Sequence, residues 1–346
     1  MKIAVGLSGG VDSSVAAALL KRQEHEVVGI TMKLWREGRY RGGSKDACFG
    51  PGEAEDIARA ESLCRQLGIE YHVFDCSEEY EKVVLSYFRT EYLAGRTPNP
   101  CVRCNVFMKF GVLPNLARKA GIAFEKFATG HYARLREENG VFHLLRSADE
   151  KKDQSYFLYR LKQPQLKYLL FPLGELCKTE VRKLAAEYGL EVKDKPDSQD
   201  FYSGDHTELL NTPPCLGNII DTAGNVLGSH DGFWNYTIGQ RKGLGIAAKE
   251  PLYVLELNPC RNEVVVGPVS ETRRHELELA DCSWIASEPE GEVQVKVRSA
   301  SKMLTAFYQE GKLNFPDGVF AAAKGQSAVL YRGDEVLGGG IITEAK

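Results

Sequence analysis

The sequence predicts an α/β fold built on a doubly wound parallel sheet, followed by a smaller β-rich part, and three features point to it. Apolar runs alternate with helix-period segments as far as Asp200, and a glycine turn joins the first run to the first helix. Beyond residue 203 the texture changes to short, Gly-punctuated β segments. Boundaries are expected near 203 and 272, giving segments 1–203, 204–272 and 273–346.

Ile3, Val5 and Leu7 read as the first strand, and after Val11 the residues Val15, Ala18 and Leu19 recur at helical spacing. Between them, Ser8-Gly9-Gly10 reverses the chain on residues that tolerate positive φ. A bare turn aims backbone N–H groups and a helix dipole at one point, which is a phosphate cradle. The loop closes with Val11-Asp12-Ser13-Ser14 and lacks the lysine of a kinase-style P-loop. Hydroxyls with a carboxylate suit a leaving pyrophosphate and its metal.

Glu26 to Met32 reads as a second strand, and 36–52 as a long polar loop. A helix over 53–67 stops at Gly68, a strand covers 69–76, and a helix over 78–94 ends at Gly95. Pro98 and Pro100 stiffen Arg96 to Asn105 ahead of a helix that contains Pro114 and runs to Ala120. The strand 124–131 ends in Thr129-Gly130-His131, at the same sheet edge as the glycine turn. Asn139-Gly140 marks a hairpin between 132–136 and 141–146. Helical patterns follow over 156–170 and 180–188. The β-rich part has short strands within 217–232, a hairpin of 252–257 with 263–266, and segments 292–298, 304–309, 328–332 and 335–342, which read as a small barrel or sandwich.

The chain of 346 residues is 43% hydrophobic and carries a net charge of −3, so it has material for real cores, and any nucleic-acid binding must rest on a local patch. No run approaches membrane-spanning length and the N-terminus has no signal pattern, so a soluble cytoplasmic protein with no membrane partner is expected. Nine cysteines without a secretory signal argue for reduced thiols. Cys64, Cys76, Cys177 and Cys282 lie in apolar-periodic surroundings and read as core filler.

Cys104 is expected at a helix start beside Arg103, an environment that lowers a thiol pKa and makes a nucleophile. Cys101 completes a CxxC pair, compatible with redox exchange or with half of a metal or cluster site. Zinc would want a second CxxC or a CxxH, which the sequence lacks. Cys48, Cys215 and Cys260 are isolated and could join such a site only if the fold gathers them. Plainer readings stand beside these: His131 as a strand-end polar residue, Lys151-Lys152 as solvated charge, Tyr202 as core.

The blocks GLSGGVDSS, GITMKLW, AGRTPNPCVRCN, FATGHYARL, LLRSADEKKDQSYFLY, YTIGQRKGLGI and GQSAVLY, in this order, resemble the bacterial tRNA-specific 2-thiouridylase family of PP-loop ATP pyrophosphatases. The resemblance implies a PP-loop ATP-binding catalytic domain, a small central domain and a C-terminal β-barrel. It implies ATP-dependent replacement of O2 of the wobble uridine of tRNA by sulfur, with Mg²⁺ expected and sulfur arriving as a persulfide from a cysteine desulfurase or relay protein.

By the same resemblance ATP lies on Gly6, Leu7, Ser8, Gly9, Gly10, Val11, Asp12 and Ser13, with Met32 and Gly130. Cys104 is the nucleophile, with Asp12 in the catalytic set. Asn99, Pro100 and Cys101 face the target base, and His131, Lys152, Asp153, Gln154, Arg298, Ser299 and Gln326 contact tRNA.

Two departures stand out. Where the family commonly has a second, persulfide-carrying cysteine, the segment Asp197-Ser198-Gln199-Asp200-Phe201-Tyr202 offers Tyr202, and where it often has an aspartate this chain has Cys101. Cys101 is therefore expected to take the missing role as partner of Cys104. An iron–sulfur cluster on the CxxC is the rival, not favoured. The alternatives are a protein that binds ATP and tRNA without transferring sulfur, and a PP-loop amidating synthetase, which would need an ammonia source the β-rich half does not resemble.

Overall fold

The computed structural model describes residues 1–43, 47–191, 200–202 and 204–346. Asp197, Ser198, Gln199, positions 44–46 of the long loop and the boundary at 203 lie outside the described residues.

The chain begins with β1 (Lys2–Gly6), α1 (Val11–Arg22) and β2 (Glu26–Lys33), then a short β3 (Ala47–Phe49), α2 (Glu53–Leu67) and β4 (Glu70–Asp75). Next come β5 (Lys126–Thr129), a hairpin of β6 (Arg134–Glu138) and β7 (Val141–Leu145), and β8 (Leu169–Leu170). Five of these strands form a parallel sheet in the order β4-β2-β1-β5-β8. One face is covered by α1, α2 and the helix Lys178–Glu187, through Val15, Leu63, Cys64, Val181 and Ala185. The other is covered by the helix Leu113–Lys119 and the segment 156–166, through Leu113, Ala117, Tyr159 and Leu166. Strand order reverses between β1 and β5, so the crevice opens where Gly6 and Thr129 end their strands.

The long loop carries β3, which pairs in parallel with β9 (Asp200–Tyr202), Ala47 opposite Asp200 and Phe49 opposite Tyr202. The expected single helix over 156–170 does not form. Instead a 3₁₀ turn (Ser155–Leu158), a short helix (Gln163–Leu166) and β8 share the segment. Tertiary contacts win here: the buried Tyr156 donates to the Ser327 carbonyl (2.9 Å), Tyr159 meets the Ser327 hydroxyl (3.1 Å), and Pro164 opens a fresh turn.

The helix after the stiff loop also starts earlier than its sequence suggests. Asn99 caps it, its Oδ1 accepting from Val102 N (3.1 Å), and Pro100 takes the first-turn position where no N–H is needed. The chain then winds as a π-helix over Cys104–Val112 before returning to α at Leu113.

The central part is a four-stranded sheet of β10 (Gly217–Asp221), β11 (Val226–His230), β12 (Tyr253–Asn258) and β13 (Glu263–Gly267), in the order β11-β10-β13-β12. Next come β14 (Arg273–Trp284), β15 (Gly291–Lys296), β16 (Leu304–Gln309), β17 (Lys312–Phe320), β18 (Ser327–Arg332) and β19 (Glu335–Ala345). The β14–β19 pairing closes these six into a barrel, and β7 adds the hairpin to its β19 edge. The hairpin turn is as expected, Asn139 and Gly140 both having positive φ. The sequence reading missed β14, whose alternation is masked by charges, and β17, which holds Pro316 and a positive-φ Gly318.

Candidate active site

Backbone packing builds the phosphate loop. Leu7 N donates to the Ile30 carbonyl (2.9 Å) and Thr31 Oγ1 to the Leu7 carbonyl (2.8 Å), tying the end of β1 to β2. Gly9 has φ +66°, and a Cβ there would come within 2.3 Å of the Asp56 carbonyl oxygen on α2. Gly130 lies against the start of α1, where a Cβ would sit 2.5 Å from Ser13 N. Gly10 supplies no side-chain cap, so the first turn of α1 presents its N–H groups to the crevice. Ser8 and Ser13 place their hydroxyls 3.2 Å apart beside it, and Met32, next to last in β2, is half-buried. The turn after β2 is held by Glu53, whose carboxylate accepts from Leu34 N (2.7 Å) and Trp35 N (2.9 Å).

Gly9→Ala is therefore expected to weaken ATP binding at least tenfold, measured by isothermal titration calorimetry. Gly68→Ala, at another positive φ but with nothing near its Cβ, should cost only about 1 kcal/mol of stability and leave ATP binding intact.

The loop lacks a lysine of its own, yet the fold supplies one. Lys178, almost fully buried at the start of its helix, sets Nζ 2.7 and 2.9 Å from the two Asp12 carboxylate oxygens, and Tyr132 donates its hydroxyl to Asp12 Oδ1 (2.9 Å). A separation of 166 residues hides this contact from sequence reading. Among the described residues no group of three or more His, Cys, Asp or Glu side chains could hold a metal ion. Magnesium that travels with phosphates takes only one or two protein carboxylates, and Asp12 is the carboxylate present at this loop.

His131 and Lys109 connect the end of β5 to the thiols electrostatically. His131 follows Gly130, its Nδ1 2.8 Å from Thr129 Oγ1 and its ring 5.5 Å from that of Phe110. Burial and the Lys109 charge hold its imidazole well below the ordinary pKa, so it is neutral. Lys109 in turn interacts electrostatically with Cys104, Cys48 and Cys101. Burial lowers its pKa but these thiols more than offset that, leaving it raised.

The expected low pKa of Cys104 is not found. Burial pushes the thiol up to about 11, against the lowering effect of Lys109. Arg103 cannot help, because its Nε donates to the Val83 carbonyl (2.7 Å) and its guanidinium stacks over Tyr87 and Phe107. Lys109 replaces it through the π-winding, which brings residue i+5 around toward residue i.

Alkylation of Cys104 by iodoacetamide should accordingly rise about tenfold per pH unit through the neutral and alkaline range, because only the thiolate reacts. Removing the positive charge raises the thiol pKa further, so Lys109→Gln should slow the reaction at neutral pH. A rate that is flat with pH would mean a thiolate already formed.

The remaining candidates are placed as follows. Asn99 caps the thiol helix and Pro100 is buried in its first turn. Gln326 on the barrel donates to the Thr97 (3.1 Å) and Pro98 (3.2 Å) carbonyls, so the C-terminal barrel holds the thiol loop. Arg298 donates to the Ile238 (2.7 Å) and Ala321 (3.2 Å) carbonyls, bridging the central part and the barrel. The Asp153 side chain is 1% exposed and accepts from Ser147 N and Ser155 N, both at 3.2 Å. Gln154 Oε1 accepts from Tyr132 N (2.9 Å), while Lys152 is half-buried and Ser299 exposed. Tyr202 is buried among Phe49, Phe201 and His206 and donates its hydroxyl to Glu208, an anchor for the 36–43 loop. Of the cysteines read as filler, Cys64 and Cys76 are buried, whereas Cys177 and Cys282 are half-buried.

Residues 1–202 match the family model described as tRNA methyl transferase HUP domain, 210–268 the tRNA methyl transferase PRC-barrel domain, and 274–342 the aminomethyltransferase beta-barrel domain. The chain is 47% identical to a tRNA-specific 2-thiouridylase MnmA of Endomicrobium trichonymphae, covering 99% of both chains. It is 44% identical to that of Trichormus variabilis, again over 99% of each, and 41% identical to that of Clostridium perfringens over 99% of this chain and 98% of the other.

Proposed function

Because the chain belongs to the tRNA-specific 2-thiouridylase family, we propose that it is a transferase that replaces O2 of the wobble uridine of tRNA by sulfur at the expense of ATP. The observation that carries this reading is a succession of neighbours: Gly130 packs against the phosphate loop, His131 follows it, Lys109 acts on His131 electrostatically, and Cys104 in turn acts on Lys109. The matching family models are described in terms of methyl transfer, but a phosphate cradle beside grouped thiols serves activation and sulfur delivery instead.

A uridine oxygen is a poor leaving group. Attack of O2 on the α-phosphorus of ATP expels pyrophosphate and makes O2 part of a phosphate ester, which leaves as AMP. The loop from Gly6 to Ser13 holds the phosphates, and Lys178 with the α1 N-terminus stabilises charge on the departing group. Magnesium, when bound with ATP, supplies further charge neutralisation at Asp12.

A persulfide on Cys104 then attacks C2, AMP departs, and the base is left joined to Cys104 through a disulfide bond. The Cys101 thiolate, three residues earlier on the same helix, attacks Cys104 Sγ and releases the 2-thiolated base. The resulting Cys101–Cys104 disulfide must be reduced by an external thiol before the next turnover. Neutral His131 provides a hydrogen-bonding group without placing a second positive charge next to Lys109.

Asn99, Pro100 and Cys101 face the base in this reading. Lys152, Ser299 and the groups around Gln326 and Arg298 contribute to the tRNA-facing surface, with Asp153 and Gln154 shaping the turn beneath it. Extruding the target base costs a few kcal/mol, recovered from backbone contacts spread over all three parts. A desulfurase or relay protein supplies the persulfide.

The test is nucleoside mass spectrometry of tRNA from a deletion strain complemented with wild type or Cys104→Ser. Thiolation restored only by wild type supports the reading, and unchanged thiolation with Cys104→Ser sinks it. In a protein that binds ATP and tRNA without transferring sulfur, neither gene would restore it. Iron and acid-labile sulfide assays on anaerobically purified protein separate the persulfide route from a cluster held by the thiols.

A further inference from the structure

A cavity of about 420 Å³ lies where residues 205–210 lead from the N-terminal α/β part into the central part. Its walls are aromatic. Phe88 and Tyr92 stand on the helix Ser86–Leu93 with their rings 4.6 Å apart, and the half-buried His206 meets Phe88 edge-on at 5.7 Å. Trp234 completes the wall from the 3₁₀ turn Phe233–Asn235. The exposed Asp205 and Asn235 add a carboxylate and an amide to the lining.

These walls are held in place by the fold itself. Arg89 Nε donates to the Leu209 carbonyl (2.6 Å), which fastens the short helix His206–Leu210 to the helix Ser86–Leu93. Asp205 caps that short helix, its Oδ1 accepting from Thr207 N (2.9 Å). A Cβ at Gly232 would come within 2.3 Å of the Trp234 ring, so the indole lies against bare backbone. Phe88, Tyr92 and Trp234 also pack in the cluster that includes Cys101 and Cys104, yet no cysteine lines the cavity.

Aromatic faces edged by a carboxylate and an amide complement a flat heterocycle that carries an amino group. Bases of any kind stack on such rings, whereas a carboxylate accepts from an exocyclic amino group and has nothing to offer a uracil O4. The source of the base follows from charge. No lysine or arginine lines the cavity, so a free nucleotide would bring its phosphates to a carboxylate with no cation to offset them. A base that projects from an RNA strand leaves its phosphates outside.

We propose that this cavity is a second base pocket, which takes an unpaired adenine, guanine or cytosine of the same tRNA whose wobble uridine is modified. This deepens the function proposed above and rests on it. Seating that base draws the RNA across the joint between the N-terminal and central parts, which gives the central part a share in selecting the tRNA.

The experiment measures binding of an unmodified tRNA transcript with a wobble uridine to the full-length protein, by fluorescence anisotropy at fixed salt. Trp234→Ala is expected to weaken binding about tenfold, the scale of one lost base stack, while Trp234→Phe keeps a ring and stays within about threefold of wild type. Affinity for ATP should be unchanged in both, and melting temperatures report whether they fold. Asp205→Asn keeps the helix cap and removes the charge, so it carries the test even if Trp234→Ala does not fold. A carboxylate merely near RNA repels phosphate, and its loss would tighten binding. At least about threefold weaker binding is expected of Asp205→Asn if the carboxylate holds an amino group.

Ultraviolet cross-linking with peptide mass spectrometry then names the base, the expected product being adenine, guanine or cytosine on a peptide that carries Trp234 or Tyr92. Wild-type affinity in a folded Trp234→Ala, tighter binding by Asp205→Asn, or uracil alone on that peptide overturns the inference. Loss of the cross-link to micromolar AMP, GMP or CMP also overturns it and marks a free-nucleotide site. Persulfide transfer from a desulfurase that falls in Trp234→Ala while tRNA affinity holds overturns it in favour of a protein surface. A thiolation assay separates the two levels. Wild type that cross-links tRNA here but never thiolates it defeats the proposed function and leaves the pocket standing, while normal thiolation with wild-type affinity in Trp234→Ala defeats the pocket alone.

Discussion

Cys104→Ser should uncouple the two halves of the reaction. With tRNA present the variant is expected to release pyrophosphate on the scale of one equivalent of bound tRNA and leave the AMP on the base, yet form no thiolated base. The loss of sulfur transfer should be on the order of 10³-fold or more, as when a covalent nucleophile is removed. The split follows from the geometry. The phosphate loop is built by β1, α1, Gly130 and Lys178, none of which depends on the sulfur atom for its packing. The measurement is pyrophosphate release set beside nucleoside mass spectrometry in one reaction. Loss of both activities together would mean that the thiol also helps to form the nucleotide site.

Lys178→Met has the second large effect, on stability and on the first chemical step. It strips the bidentate partner from Asp12 and leaves a carboxylate facing an emptied, almost fully buried site. Breaking a fully buried pair costs about 3–5 kcal/mol. Asp12 keeps part of its surface in solvent, so the loss should be about 2 kcal/mol, read from urea denaturation. Pyrophosphate release should fall on the order of 100-fold, because a positioned cation near the departing phosphates is lost. Lys178→Arg should restore stability better than rate, since a planar fork does not reproduce a point charge. Stability falling while pyrophosphate release is unchanged would confine Lys178 to a structural part.

These two residues mark the limit of what the sequence could convey. The phosphate loop was legible because a strand, a glycine turn and a helix follow one another within Lys2 to Arg22, and local signals decide each. The alternation that predicts the parallel sheet is local in the same way. Lys178 was not legible, because its partner is 166 residues distant and nothing in the helix period singles it out. The β3–β9 pairing was not legible either, because no short-range pattern announces it.

The ionisation of Cys104 was misjudged for a different reason. Sequence proximity suggested Arg103, whereas π-winding from Cys104 to Val112 turns Lys109 toward the sulfur and burial sets the sign of the shift. The 156–170 segment failed because a run of apolar residues fits a buried helix and a buried irregular segment equally well. The Tyr156 and Tyr159 hydroxyls, drawn to Ser327 of the barrel, decide between them. For the 156–170 segment the missing information is a contact with a distant part of the chain, and for Cys104 it is the local winding of the helix.

Tracing the leaving oxygen tests the joint action of the phosphate loop and the neighbouring thiols on one base most directly. A tRNA carrying heavy oxygen at O2 of its wobble uridine is thiolated in a single turnover and the released AMP is weighed by mass spectrometry. One heavy oxygen in each AMP formed, matched by one sulfur gained per base, is the result expected. Thiolated tRNA accompanied by unlabelled AMP would show that ATP is spent elsewhere than on the oxygen being replaced, and would contradict the account.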